Sequence, residues 1–131
     1  MKNDLQDLST DKRLKRQLLY LENWIKKTAK QANGFIVQVS GGSDSALTLY
    51  LLSKIYPNKT VAIFIGENLR AKKWFKKTAH NNLFIYWHDP KWQYPEVERY
   101  AMLQKAVIVT KFWLVGTRNR TEDALGNFSF S

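Results

Sequence analysis

The chain has 131 residues, a length that fits one domain burying roughly two-thirds of its unfolded surface in a real core. Its 44% hydrophobic and 14% aromatic content excludes a wholly disordered chain, and no apolar run reaches the ~18 residues of a membrane span. The absence of cysteine excludes disulfides, Cys-based zinc sites and thiol chemistry, while a net charge of +10 implies affinity for anions: nucleotides, nucleic acids or anionic membranes.

The N-terminal stretch "MKNDLQDLSTDKRLKRQ" has no apolar core of the signal-peptide kind, so a cytoplasmic protein is expected. Residues 11–32 read as a helix, with Leu14, Leu18, Leu21, Ile25 and Ala29 on one apolar stripe and Asn33-Gly34 as its C-cap. "FIVQV" (35–39) is a run of β-formers with almost no polar face, as in a central parallel strand covered on both sides. "SALTLYLLSKIY" (45–56) is a second helix stopped at Pro57, and "TVAIFI" (60–65) a second buried strand. "RAKKWFKKTA" (70–79) gives a third helix and "LFIYW" (83–87) a third strand. After the irregular "HDPKWQYP" (88–95), "EVERYAMLQKAVIVT" (96–110) is helical, with Val97, Tyr100, Ala101, Leu103 and Val107 as candidate core contacts. "FWLVGT" (112–117) is a fourth strand, and "TEDAL" (121–125) begins a last helical turn.

This alternation with short connections predicts a doubly wound α/β fold, Rossmann-like, with a parallel sheet and right-handed crossovers. The basic clusters Lys12–Arg16 and Arg70–Lys77 read as solvated helix faces, with a nucleic-acid footprint as the competing reading. Trp24, Trp92 and Trp113 are expected to be mostly core, although aromatics in this number could also serve an interface.

"SGGSDS" (40–45) falls at the carboxyl end of the first strand, where such sheets bind ligands. Gly41 and Gly42 allow a sharp turn and close approach, and the amides opening the next helix have no intrahelical partner. An anion there gains those hydrogen bonds and about 0.3–1 kcal/mol per charge from the helix dipole. Ser40 and Ser45 would add hydroxyl donors. Asp44 would repel a bare phosphate and makes sense beside one only if Mg²⁺ lies between them. A plain turn with Asp44 as N-cap is the alternative. The lysine of a G-x-x-x-x-G-K-[ST] loop is absent.

"SGGSDS" resembles the pyrophosphate loop of the N-type ATP pyrophosphatases, which fold as Rossmann-like adenine-nucleotide alpha-hydrolases. "LVGTRNRTEDALGNFSF" (114–130) resembles the G-T-x-N-x-S-E-x-x-x-G-Y-F-T segment of the ammonia-dependent NAD synthetases within that superfamily. The resemblance covers most of the chain and makes residues 1–131 a single ATP pyrophosphatase domain. It implies that Ser40, Gly41, Gly42, Ser43, Asp44 and Ser45 bind ATP, that Thr117 lines the nucleotide site, and that Asp44 and Glu122 ligate Mg²⁺. "VERYAML" is similar, more loosely, to the family's A-R-x-R-M and puts Arg99 on the dinucleotide substrate. The reaction implied has two steps. The nicotinate carboxylate of deamido-NAD attacks the α-phosphate of ATP, giving an acyl adenylate and pyrophosphate, and ammonia then displaces AMP. Neither step needs a side-chain nucleophile, so no catalytic residue is assigned, and His80 and His88 receive no role. The family also implies a homodimer.

The chain departs from the family pattern in several places. The interval between the motifs is compressed around "HDPKWQYP", Ala101 replaces the second arginine of the looser motif, and Phe130 stands where a lysine opens the family's Lys-Tyr-Gly-Asp stretch. The sequence stops at Ser131, short of the family's C-terminal region. A truncated product, a fragment, or a subunit burying its tail against a partner would each account for this. Two further readings stay open: a nucleotide-binding module without amidation, and an RNA-modifying ATP pyrophosphatase.

Overall fold

The computed structural model describes residues 8–116, with side chains from residue 12 onward. Backbone contacts divide the chain into two compact units, Met1–Gln31 and Ala32–Ser131. The first holds α1 (Leu8–Thr28). Taken by itself, α1 leaves Leu14 and Leu21 of its expected apolar stripe in solvent, while Ala29 is buried. Lys26 and Lys27 lie in its last turn, where cations suit the negative end of the helix dipole. It stops before Asn33-Gly34, and Gly34 is no C-cap. Its missing side chain instead admits the Phe112 ring, which a Cβ at that position would meet at 2.6 Å.

The second unit alternates β1 (Phe35–Gln38), α2 (Ser43–Ile55), β2 (Thr60–Gly66), α3 (Lys72–Thr78), β3 (Leu83–Trp87), α4 (Pro95–Thr110) and β4 (Trp113–Val115). The strands form one sheet in the order β3-β2-β1-β4, and every neighbouring pair is parallel. This is the expected doubly wound α/β arrangement. β1 lies between β2 and β4, so the strand order reverses at its carboxyl end, where a crevice opens in sheets of this kind.

The side-chain alternation of strands assigns the two faces. Register places Ile36 beside Val61 and Leu114, and Ile63 beside Phe84, so these residues share one face. There Ile36, Ile63 and Ile65 bury themselves against Leu103 of α4, with Met102, Ala106, Val107 and Trp92 packed around them. Phe35, Val37, Val39, Ala62 and Phe64 alternate with them and are also buried, on the side where α2 contacts β1, β2 and α3. Each large side chain taken from water this way contributes about 1.5–3 kcal/mol before ordering costs are subtracted.

α4 differs from expectation in which of its residues are covered. Leu103 and Val107 join the core, but Val97 is 53% exposed and Ala101 is exposed. At ~100° per residue these two lie about 120° and 160° around the helix from Leu103, on its far side. Met102 and Ala106 take the contacts expected of them. The tryptophans are also less buried than expected. Trp92 packs on the core, but Trp24 and Trp113 are exposed, Trp113 because it opens the edge strand β4. The lysines of α3 are solvated, as read from the sequence.

Candidate functional site

The loop from Ser40 to Gly42 joins the carboxyl end of β1 to the start of α2. Gly41 turns the chain with φ +86°, a left-handed conformation that side chains disfavour. Gly42 is the N-cap, in extended conformation and with no side-chain capping bond. Asp44 is therefore the second residue of the helix rather than its cap, and it is exposed. The first helical hydrogen bond runs from Ala46 N to Gly42 O at 3.2 Å. The amides of Ser43, Asp44 and Ser45 precede it and have no acceptor within the helix.

Two serines brace the loop from inside. Ser45 is buried; its hydroxyl donates to Gly42 O at 3.2 Å and accepts from Ser40 N at 3.2 Å. Ser40 Oγ accepts from Gly42 N at 3.3 Å and lies 3.4 Å from Ser45 Oγ. With the Ser45 proton committed to Gly42, the Ser40 proton is the one that can turn outward. Ser45 thus stabilises the corner, and Ser40 and Ser43 remain on its exposed side.

Replacing Gly41 with alanine should cost about 1–2 kcal/mol, the strain of a side chain in the left-handed region, because nothing lies within 4 Å of the added Cβ. Gly42→Ala should be nearly neutral for stability, since its φ is −86° and the new Cβ would sit 3.4 Å from Ser40 Oγ. Urea denaturation of the two variants checks the contrast.

Beside this corner a cleft of about 390 Å³ opens at the carboxyl ends of β1 and β2, under the start of α4. It brings Ser40 of the loop together with Arg99, the arginine singled out in the sequence. Arg99 is held 3.9 Å from Glu96, one turn earlier on α4. Glu96, Asn68, Tyr100 and Gln38 also line the cleft and were not anticipated. Asn68 could have been found from the rule that ligands bind beyond the carboxyl ends of strands. Gln38 had its own signal as the one polar residue of "FIVQV". Its Oε1 is buried without a hydrogen-bond partner among the described residues.

Thr117 and Glu122 lie outside the described residues, so the pairing of Asp44 with Glu122 does too. Among the described residues no three His, Asp or Glu side chains converge as a metal site. Asp44 supplies one hard carboxylate oxygen donor on the turn that carries the free amides. That donor type suits Mg²⁺ shared with a phosphate, and does not suit a soft metal. β4 does lie beside β1, pairing Ile36 with Leu114 and Val37 with Val115, so the first two residues of the second motif sit beside the strand that leads into the first loop. No helix among the described residues is long and apolar enough to cross a membrane.

No protein-family model matches the chain. Among curated proteins it is 43% identical over 54 residues to the NH3-dependent NAD⁺ synthetase of Mesoplasma florum, an alignment covering 40% of this chain and 22% of that protein. It is 44% identical over 55 residues to the enzyme of the same name from Mycoplasmopsis pulmonis, covering 39% of this chain and 21% of the relative. Among solved structures it matches an NH3-dependent NAD synthetase from Campylobacter jejuni, solved with a nitrate ion, at a TM-score of 0.68 and 16% identity. That match covers 88% of this chain and 61% of the solved one. The aligned part is thus less than a quarter of the length of either curated relative. In sequence the chain is a partial homologue of the NH3-dependent NAD⁺ synthetases, and in fold it is like one of them.

Proposed function

We propose that this chain carries the ATP-activating site of an ammonia-dependent NAD synthetase, an ATP-dependent amide ligase that converts deamido-NAD to NAD. The observation that carries this reading is the corner at the switch point of the sheet. Free helix-opening amides, a Gly-Gly turn and an exposed Asp44 stand beside a cleft holding Ser40 and Arg99. Its partial homology to enzymes of that name supports the same reading.

The residues divide the work by charge. The amides of Ser43, Asp44 and Ser45, with the Ser40 and Ser43 hydroxyls, hold the β- and γ-phosphates, which leave as pyrophosphate. Gly41 and Gly42 let the backbone approach them, and Thr117 lines the nucleotide site. Asp44 and Glu122 would hold Mg²⁺, which when bound neutralises charge on the polyphosphate. Arg99 attracts the carboxylate or phosphates of deamido-NAD and sets its nicotinate oxygen in line with the α-phosphorus. A new O–P bond forms there as the bond to pyrophosphate breaks. Ammonia then adds to the acyl carbon, AMP leaves, and the released proton passes to solvent. Alignment and charge stabilisation supply the catalysis, with no covalent enzyme intermediate. We also propose that residues 1–131 act as a single ATP pyrophosphatase domain. The working form would be a cytoplasmic homodimer, a compartment that supplies ATP.

Pyrophosphate release from Mg-ATP should require deamido-NAD, and a phosphate-coupled assay reads it. Tight ATP binding without that release would instead leave a nucleotide-binding module. Salt-steep tRNA binding that competes with ATP would favour the RNA-modifying reading. Arg99→Gln should raise KM for deamido-NAD about 10- to 100-fold, the range for losing a hydrogen-bonded charge contact, with little change in ATP affinity. Arg99→Lys should recover part of it. Steady-state kinetics at saturating ATP separates the two.

A further inference from the structure

We propose that the outer face of α3 is a docking surface for single-stranded nucleic acid, with lysines holding the phosphates and Trp74 stacking a base. The helix lies on the α2 side of the sheet, away from the cleft under α4. It runs Lys72–Thr78 and turns Phe75 inward, where that ring is 2% exposed. At ~100° per residue, Lys73 and Lys77 then lie about 160° from Phe75, with Lys76 and Trp74 about 100° to either side of it. All four are exposed, as are Lys72 and Arg70. The surface is complete within residues 70–77 of one compact unit, Ala32–Ser131.

This arrangement costs α3 stability instead of adding to it. Lys72 and Lys76, and again Lys73 and Lys77, are like charges one turn apart, which destabilise a helix. The first turn holds two lysines and no acidic residue, so the helix dipole opposes them. Among the described residues none of these lysines is ion-paired, and no acidic residue occurs between Glu67 and Asp89. The rest of the chain has no surplus of counter-charge: residues 1–31 carry eight basic side chains against four acidic, and the whole protein is +10. A polyanion relieves each of these repulsions. Lys73 and Lys77 are about 6 Å apart along the helix axis, close enough to meet neighbouring phosphates of one strand.

Trp74 selects the kind of polyanion. It is 44% exposed although its ring is braced in a T-shaped contact with Phe75, centroids 5.2 Å apart. A braced, half-open aromatic among lysines is a stacking platform, and a single strand presents unstacked bases to it. A duplex would leave Trp74 unused. A membrane surface would need a wider apolar side than one ring, because the other aromatic of α3 is in the core.

The test is fluorescence anisotropy of labelled oligo(U) and oligo(dT), each about 12 nucleotides long, titrated with the full chain. Binding should weaken with salt at a log–log slope of about −3, the value for four phosphates of a single strand. The tighter of the two oligomers identifies RNA or DNA as the source. Lys73→Gln/Lys77→Gln should lower the slope by about 1.4 and the affinity at least about tenfold. Lys105→Gln/Lys111→Gln removes the same charge from exposed positions on and just after α4, and should cost no more than about twofold. Trp74→Ala should cost about 5- to 150-fold, the range for one stacked base, without changing the slope. Circular dichroism checks that the variants fold. An absence of salt-sensitive binding, equal losses in the two double variants, or indifference to Trp74→Ala would overturn the proposal. So would displacement by Mg-ATP at matched ionic strength, or tighter binding to a duplex or to phosphatidylserine vesicles than to either oligomer.

Discussion

Changing Asp44 to Asn should weaken Mg-ATP binding by about 10- to 100-fold, as expected for a charged contact worth roughly 1.5–3 kcal/mol. Asparagine keeps the size and removes only the charge. The carboxylate sits on the second residue of α2, on the same turn as the free amides of Ser43 and Ser45. Without a divalent ion it opposes an incoming phosphate, and with one it becomes a ligand. The effect should therefore reverse in EDTA, where Asp44→Asn binds ATP at least as well as the parent chain. Stability should fall only slightly, by the ~0.3–1 kcal/mol that a first-turn carboxylate gains from the helix dipole. Isothermal titration with and without Mg²⁺ reads both signs. Equal affinities in Mg²⁺ would remove the metal role.

Leu103→Ala should have the largest effect on the fold, about 2–5 kcal/mol of lost stability. Leu103 is 1% exposed and closes the cluster of Ile36, Ile63 and Ile65 from the α4 side. Truncating it removes apolar contacts and leaves a cavity that a packed sheet cannot collapse around. The loss is large against the 5–15 kcal/mol typical of a whole domain. Because Leu103 also lines the cleft beside Arg99, ligand binding should suffer with it. Val97→Ala, on the exposed side of the same helix, should stay within about 0.5 kcal/mol. Urea denaturation followed by tryptophan fluorescence measures both, and a similar cost at the two positions would contradict the assignment of faces.

Much of the fold was legible because its signals are local. "FIVQV", "TVAIFI" and "LFIYW" are β-rich runs bounded by polar turns, and each became a parallel strand in the expected place. The pairing of β4 with β1 followed from the doubly wound pattern and puts Leu114 and Val115, the first residues of the second motif, beside Ile36 and Val37 of β1. What stayed hidden depends on contacts between distant residues. Gly34 reads as a helix terminator, yet its role is set by Phe112, far along the chain. The α4 stripe was read with Val97 and Ala101 because composition cannot show which side of a helix finds a sheet. At the site, the Gly-Gly turn and the helix start were readable from residue types. The inward turn of Ser45, and the gathering of Gln38, Asn68 and Glu96 around Arg99, required the third dimension.

The chemistry proposed here makes one oxygen atom the witness. If deamido-NAD labelled with heavy oxygen in its nicotinate carboxylate is turned over with Mg-ATP and ammonia, mass spectrometry should find one labelled oxygen in the AMP. An unlabelled AMP, with the label left in the dinucleotide or carried into the released phosphates, would contradict carboxylate attack on the α-phosphate and the site built around it.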